Sequence, residues 1–404
     1  MMERQDIIII GAGISGLSLA HYCAKAGLKV LVVEKSDRVG GCFHSHRFGG
    51  DTADFWLELG AHTCYNSYGN LLGIMQACRL LDSIIKRENV PFRLLAGDQV
   101  KSIQSQLNFV ELLFSAPRLF TLGKTGKSIE DYYSRIVGRR NFEKVFSHVF
   151  DAVISQKAAD FPADMLFKKR PRRKDVIKKF TMSDGLQFIT DSLAAQPGVR
   201  ILTAKAVQAI GPEDGLYNVK TEDSDSYISQ SVALAVPASV AARLLQDPFP
   251  ELSAQLAKIK VSSVETVGVA IKKDAVSISP VAGLIAAKDS FYSAVSRDAV
   301  PHDNFRGFSF HFKAGVLDSD AKLMRISNVL RANPEQLKHV VTKINIVPCL
   351  RVGHEELVNK IDGLISGKGM FLTGNYFSGM AVEDCVSRSK KEFLRMKAVP
   401  ASSP

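Results

Sequence analysis

The junction between four consecutive isoleucines and a glycine loop constrains this chain more than any other feature. Ile7-Ile8-Ile9-Ile10 is a short, continuously apolar run, the signature of a strand buried on both faces. It leads into Gly11-Ala12-Gly13-Ile14-Ser15-Gly16, which opens a helical stretch through Tyr22 and Ala26. A second apolar run, Val30-Leu31-Val32-Val33, ends in Glu34. Strand, glycine loop, helix, strand and acid in that order form a dinucleotide-binding fingerprint. Gly11 permits the tight turn, Gly13 lets backbone approach a pyrophosphate, and Gly16 lets the helix pack on the sheet. The helix N-terminus turns its unpaired N–H groups and positive dipole end toward the phosphates. Glu34 is placed to accept hydrogen bonds from ribose hydroxyls and to repel a 2′-phosphate. The bland alternative, a glycine turn that binds nothing, is set aside because all five elements occur in sequence.

Beyond Glu34 and Lys35 comes Arg38-Val39-Gly40-Gly41, followed by Cys42. This resembles the Arg-x-Gly-Gly element of the FAD-dependent amine oxidases and related desaturases. Arg38 can offset pyrophosphate charge, and the two glycines let backbone pass close to the dinucleotide. The resemblance implies FAD rather than NAD.

A chain of 404 residues, 46% hydrophobic and 23% charged, is expected to form two or three globular domains. Its six cysteines are scattered without a C-x-x-C pair, as expected of reduced thiols in a cytoplasmic protein. No leader-like segment precedes the first strand, and no apolar run reaches membrane-spanning length. The net charge of +11 is uneven: residues 101–180 hold 17 Lys or Arg against 8 Asp or Glu. The densest part runs from Lys168 to Lys179 and includes Arg170, Arg172 and Arg173. A solvated loop, a surface for anionic membrane or acidic substrate, and a nucleic-acid patch all compete for it. Nucleic acid ranks last, because no recognised module or interleaved stacking aromatics accompany the run.

The alternation of strand and helix signals predicts an α/β chain with a discontinuous Rossmann-like FAD-binding domain, a β-sheet substrate domain and a helical insertion. The expected division is 1–70, 181–244 and 346–397 for the FAD-binding domain. A helical basic domain spans 71–180, a substrate sheet 245–345, and a tail 398–404. Leu71-Leu72, Met75, Cys78 and Leu80-Leu81 carry the helical spacing. Strands are predicted at Val199–Leu202, Val207–Ile210, Tyr227–Val236, Val267–Ile271, Phe308–Phe312 and Met370–Asn375, with a helix from Glu383 onward.

Lys205–Ile210 resembles the strand of the flavin amine-oxidase superfamily whose valine, here Val207, pairs through its backbone with the adenine. Leu57–His62 resembles the segment passing near the isoalloxazine, which implies contacts from Gly60, Ala61 and His62. The segment Leu372–Val386 resembles the C-terminal flavin motif of the oxygen-dependent protoporphyrinogen and coproporphyrinogen oxidases. It implies contacts from Gly374, Asn375, Met380, Ala381 and Val382. Pro348–His354 resembles a Pro-x-x-x-Val-Gly-His stretch of the same enzymes. The chain departs from them at Ser387-Arg388-Ser389, where a Ser-Gly is usual, and at Val300-Pro301, where many carry Phe-Pro.

The resemblance implies a non-covalent FAD oxidase acting on a carboxylated tetrapyrrole, protoporphyrinogen or coproporphyrinogen, with dioxygen or another acceptor. The scattered thiols point to a cytoplasmic location, and the basic stretch to peripheral contact with an anionic inner membrane face. Two alternatives stay open: a flavin amine oxidase or carotenoid-type desaturase, and a non-catalytic flavoprotein. Phe377-Ser378-Gly379-Met380 stands where amine oxidases hold a Trp-Ser-Gly-Tyr-like cage, so the second aromatic wall is missing. Phe308, Phe310 and Phe312 share one strand face, and core filling is the leading reading over a tetrapyrrole platform. His311 is expected to be a surface or internally satisfied histidine, and Cys385 a buried thiol beside the cofactor. Thr121–Ser128 fails as a P-loop because Thr121 replaces the first glycine. The sequence singles out no catalytic side chain and no metal site.

Overall fold

The computed structural model describes residues 4–50 and 52–398; the expected tail beyond Ala398 lies outside them. The isoleucine run forms the strand Gln5–Ile10 at the centre of a seven-stranded sheet. Ile7, Ile8 and Ile9 are fully buried, with apolar packing on both faces. Val30–Val33 lies parallel on one side, followed outward by Val199–Leu202. Ser226–Leu234 lies parallel on the other side and in turn pairs with Met370–Leu372. An antiparallel meander of Val207–Glu213 and Leu216–Thr221 completes this sheet. Segments distant in sequence therefore deliver the carboxyl ends of their strands to one edge: Ile10, Val33, Leu234 and Leu372. Open α/β sheets bind ligands along such an edge.

A second sheet of seven strands runs in the order His339–Pro348, Val261–Lys272, Phe305–Lys313, Phe291–Ser296, Gly283–Ala287, Phe92–Ala96 and Gln99–Ser102. Phe308, Phe310 and Phe312 are fully buried and pack with Ile326, Val329 and Leu330. Those last three lie on the helix Ser319–Leu330, whose N-cap Asp318 accepts from the Ala321 N–H at 2.8 Å. The phenylalanines thus fill the core. His311, on the opposite face, is buried and bonded to Thr266 at 3.0 Å.

The region 71–180 is less helical than the residue spacing predicts. Ile84–Lys86, Phe92–Ala96 and Gln99–Ser102 are strands, and the last two belong to the second sheet. Gly97, at φ +59°, and Asp98 form a two-residue turn between them, the Gly-Asp hairpin signal. Among the described residues, no helix is long and apolar enough to cross a membrane.

Candidate active site

The site begins where the central strand ends. Gly11 has φ +100°, and a Cβ there would lie 2.6 Å from the Ala235 carbonyl oxygen. At Gly16 a Cβ would lie 2.0 Å from the Gly11 carbonyl oxygen, so both glycines are demanded by backbone contact. Gly13 differs. It caps the helix Ile14–Lys25, and a Cβ there would meet protein no nearer than Gly41 Cα, at 4.0 Å. Protein packing does not explain this glycine, whereas a ligand lying over it does. The opening N–H groups of the helix, among them those of Ile14, Ser15 and Gly16, have no acceptor within the helix.

Arg38–Gly41 closes against this loop. Gly40 N–H donates to the Ala12 carbonyl at 2.8 Å, and Gly13 and Gly40 form an isolated parallel bridge. The Arg38 guanidinium donates to the carbonyls of Val39, Phe43 and Gly41, at 2.8, 3.1 and 2.8 Å. It therefore shapes the loop as well as adding charge. Gly41 and Cys42 remain exposed at its rim, as does Lys35 beyond Glu34. Glu34 accepts from the Ala12 N–H at 2.8 Å and the Ser36 N–H at 2.9 Å. A carboxylate has about four lone-pair positions, so acceptor capacity is left for a ribose. Val207 begins a strand beside it, held because Lys205 N–H donates to the Glu34 carbonyl at 2.9 Å.

Two further segments converge here. A Cβ on Gly60 would lie 2.2 Å from the Cys42 carbonyl oxygen, and Ala61 N–H donates to that oxygen at 2.9 Å. This packs Gly60–His62 against the loop that Arg38 organises. Ser389 Oγ donates to the Ser15 carbonyl at 2.7 Å, and Thr373 N–H donates to the Leu234 carbonyl at 3.0 Å. The C-terminal motif thereby docks on the first helix. Gly374 is buried with Tyr376 over it, and Asn375 is half-buried. Met380 Sδ lies 3.6 Å from Gln156 Nε2, and the Ala381 N–H donates to Asp384 at 3.2 Å before the helix Val382–Ala398 begins. Cys385 is a buried free thiol, pushed up to about 12 by burial.

Residues 14–280 match the sequence profile of the flavin-containing amine oxidoreductases. The chain belongs to that family. Its cofactor is FAD, and the cradle fits one: space over Gly13, helix N–H groups, a ribose-side acid and a second glycine loop. A 60-residue stretch is 43% identical to the all-trans-retinol 13,14-reductase of Danio rerio, covering 15% of this chain and 9% of that one. A 58-residue stretch is 47% identical to the flavin-dependent L-tryptophan oxidase of Lentzea aerocolonigenes, covering 14% and 12%. These matches span about a tenth of each relative's length. In three dimensions the chain is similar to a provisionally assigned protoporphyrinogen oxidase from Exiguobacterium sp. 255-15. That likeness has a TM-score of 0.81 and 18% identity over 98% of this chain and 100% of the other. At that identity it speaks for the fold.

Sequence reasoning missed the polar groups that line the same cleft from the second sheet. Lys343 Nζ donates to the Gly41 carbonyl at 2.8 Å, and burial pushes its ammonium down to about 8. Asn345 Nδ2 donates to the Leu59 carbonyl at 3.0 Å and to Thr266 Oγ1 at 2.9 Å. Lys343 and Asn345 fall two apart on a strand, which could have marked a polar face. His62 is held neutral, pushed down to about 4 by burial and by the Arg87 charge. His44 and His311 are likewise pushed down to about 3, chiefly by burial. Glu58 is buried, and desolvation raises it to about 7 although Leu186 N–H and Ser45 Oγ donate to it at 2.7 and 2.9 Å. Neutral imidazoles beside a half-buried lysine suit a cleft that orients a substrate and excludes water. Bound FAD supplies the two-electron chemistry.

Part of the basic run is engaged by the fold, while Lys169, Arg172, Lys174, Lys178 and Lys179 are exposed. Lys168 and Arg170 both pair with Asp384, at 3.3 and 2.6 Å, and Lys168 also donates to the Ser378 carbonyl. Arg173 is tied to Asp175 and Gln76. The Lys168 and Arg170 contacts strap residues 168–170 over the C-terminal motif. Arg388, the departure at the Ser-Gly position, is buried and structural. It pairs with Asp362 at 2.6 Å and Glu392 at 2.9 Å, donates to the Leu372 carbonyl at 2.9 Å, and lies 3.8 Å over the Phe377 ring.

Proposed function

We propose that this chain is an FAD-dependent oxidase that dehydrogenates a porphyrinogen, protoporphyrinogen or coproporphyrinogen, in tetrapyrrole synthesis, with the flavin held non-covalently. The carrying observation is the state of the C-terminal motif. Phe377 stands where an amine-oxidase cage would need a free aromatic wall, yet it is 2% exposed, packed in a tilted pair with Tyr376 at 4.6 Å between ring centroids, and covered by Arg388. Met380 takes the place of the second wall. What remains is a cleft with positive charge from Lys343 and no aromatic sandwich for an amine, which suits a flat substrate bearing carboxylates. FAD held by the Gly11–Gly16 loop, Glu34 and the Arg38–Gly41 loop would supply the two-electron oxidation of a macrocycle methylene, with dioxygen as the final acceptor. The chain's residues act by orienting the macrocycle and excluding water, and no side chain is assigned as general base.

Peripheral contact with an anionic membrane is part of the reading, at a different place from the Arg170–Arg173 run. Phe109, Val110, Leu113, Phe114, Leu119 and Phe120 are exposed on two consecutive short helices, Phe120 at 89%. An apolar cluster of this size marks an interaction surface, and the basic stretch around it favours anionic lipid.

The test is aerobic incubation of the holoprotein with protoporphyrinogen, coproporphyrinogen, a polyamine and an aromatic amine. Porphyrin fluorescence with accompanying peroxide is expected from a porphyrinogen. Turnover of an amine alone would move the assignment to the amine-oxidase branch, and turnover of neither would favour a non-catalytic flavoprotein.

A further inference from the structure

A second polar site lies at the Glu58 end of the strand Thr52–Glu58, sharing only His62 with the segments that build the FAD cradle. Trp56, Glu58, His62, Arg87, Thr181 and Arg297 line a partly open cavity of about 20 Å³, room for one water-sized group. Arg297 is its unusual member. Its guanidinium lies 4.6 Å from the Phe55 ring and 4.4 Å from the Trp56 ring. Its Nε and Nη1 are buried with no hydrogen-bond partner, and so is Thr181 Oγ1 on the cavity wall.

No nearby acid hydrogen-bonds these two donors, although Glu58 and Asp54 act on the guanidinium through their charge. Asp298, the next residue, is taken by Arg306 at 2.5 Å and by the Val281 N–H at 2.9 Å. Glu58 is occupied by Leu186 and Ser45. Arg87 adds a second guanidinium, fixed by the His62 carbonyl and Thr63 Oγ1. Two guanidinium groups face one carboxyl that burial already biases toward its neutral form. Leaving buried guanidinium donors unpaired is costly, and a planar carboxylate matches the donor fork of an arginine.

We propose that this cavity is a carboxylate subsite. One oxygen of a substrate's carboxylate arm occupies the water-sized space, accepting from one of the two unpartnered Arg297 donors, Nε or Nη1, and from Thr181 Oγ1. The site anchors a carboxylated substrate beside the Gly60–His62 segment. Which oxidisable molecule bears the arm rests on the reading above, but the subsite does not.

Trp56 is the chain's single tryptophan and lies against Arg297, so its fluorescence reports on the cavity. The FAD-loaded protein is titrated with sodium propionate, and separately with sodium chloride at matched ionic strength. A saturable change in Trp56 emission is expected with propionate and not with chloride. Arg297→Gln should weaken propionate at least about tenfold, the loss of a charge-assisted pair. Arg297→Lys should fall between. Thr181→Val removes the unpaired hydroxyl without changing shape and should weaken binding about threefold to tenfold, which keeps the test decisive if Arg297→Gln does not fold. Three results would overturn the proposal: a propionate response that never saturates, equal saturation by chloride, or unchanged affinity in Thr181→Val and any folded Arg297 variant. Saturable propionate binding without porphyrinogen turnover would keep the subsite and discard the substrate.

Discussion

The Gly11–Gly41 cradle and the Arg297 cavity lie on either side of the Leu57–His62 segment, and they are built on opposite principles. In the cradle the protein's polar groups satisfy one another: Ala12 with Glu34, Gly40 with Ala12, Arg38 with three carbonyls. The space left over is defined by what is missing, a side chain on Gly13. In the cavity the shape is closed by bulky residues and the unfinished part is hydrogen bonding, on Arg297 and Thr181. A region that is satisfied but hollow suits a permanently held dinucleotide contacted mainly through backbone. A region that is filled but unsatisfied suits a ligand that arrives with its own charge and leaves.

The largest effect is expected from separating hollow from filled within the cradle itself. Gly13→Val should leave the fold intact, because the nearest protein atom is 4.0 Å away, yet abolish retention of FAD. Gly16→Val should lose both, since its Cβ would collide with the Gly11 carbonyl at 2.0 Å. Visible absorbance together with circular dichroism distinguishes the two outcomes. Equal flavin content in Gly13→Val and the parent would break the comparison.

Arg388 tests whether a buried, fully answered arginine behaves unlike Arg297. Arg388→Met leaves Asp362 with Lys391 and Glu392 with Arg395 but removes the buried guanidinium they share, so unfolding in urea should show a loss of about 2 kcal/mol. A loss within about 0.5 kcal/mol, the usual range for a surface change, would show the network to be dispensable.

Glu58 carries a pH signature of comparable size. Its carboxyl, raised from 4.5 to about 7 by burial, holds its proton more tightly when folded than when unfolded. The stability it contributes is therefore full below about 4.5 and is lost as pH rises through about 7, amounting to roughly 3 kcal/mol. Glu58→Gln should flatten that part of the stability profile between pH 5 and 8, read by denaturant titration at each pH. An unchanged slope would remove Glu58 from the account.

A smaller effect is expected at the surface. Phe114→Ser and Phe120→Ser should each weaken association with anionic vesicles by about 2 kcal/mol. Neutralising Arg170 should do less, because that side chain is held by Asp384. The reverse order in a flotation assay would return membrane contact to the basic run.

The legibility of each region follows from how its groups are strung along the chain. The cradle was readable because strand, loop, helix and acid occupy residues 7–34 without interruption, and each glycine answers a local backbone demand. The buried phenylalanines of the second sheet were readable from their alternation. The leucine spacing of residues 71–81 predicts helix only over its own range, so the strands Phe92–Ala96 and Gln99–Ser102, joined by the Gly97-Asp98 turn, fall outside what it can report. The Arg297 cavity had no local signature at all. Residues 58, 87, 181 and 297 lie on or beside four strands far apart in the chain, Thr52–Glu58, Ile84–Lys86, Lys179–Met182 and Phe291–Ser296, and nothing in the sequence marks which arginine, 297 or 306, will take Asp298.

The central claim, a porphyrinogen-oxidising flavin site, is tested most directly under anaerobic conditions, where the acceptor is removed and only the first half-reaction remains. The FAD-loaded protein is mixed in turn with protoporphyrinogen, coproporphyrinogen and putrescine, and the loss of the flavin's visible absorbance is followed. Bleaching by a porphyrinogen, none by putrescine, and recovery of the colour when air is admitted is the expected result. Bleaching by putrescine with neither porphyrinogen active would contradict the account.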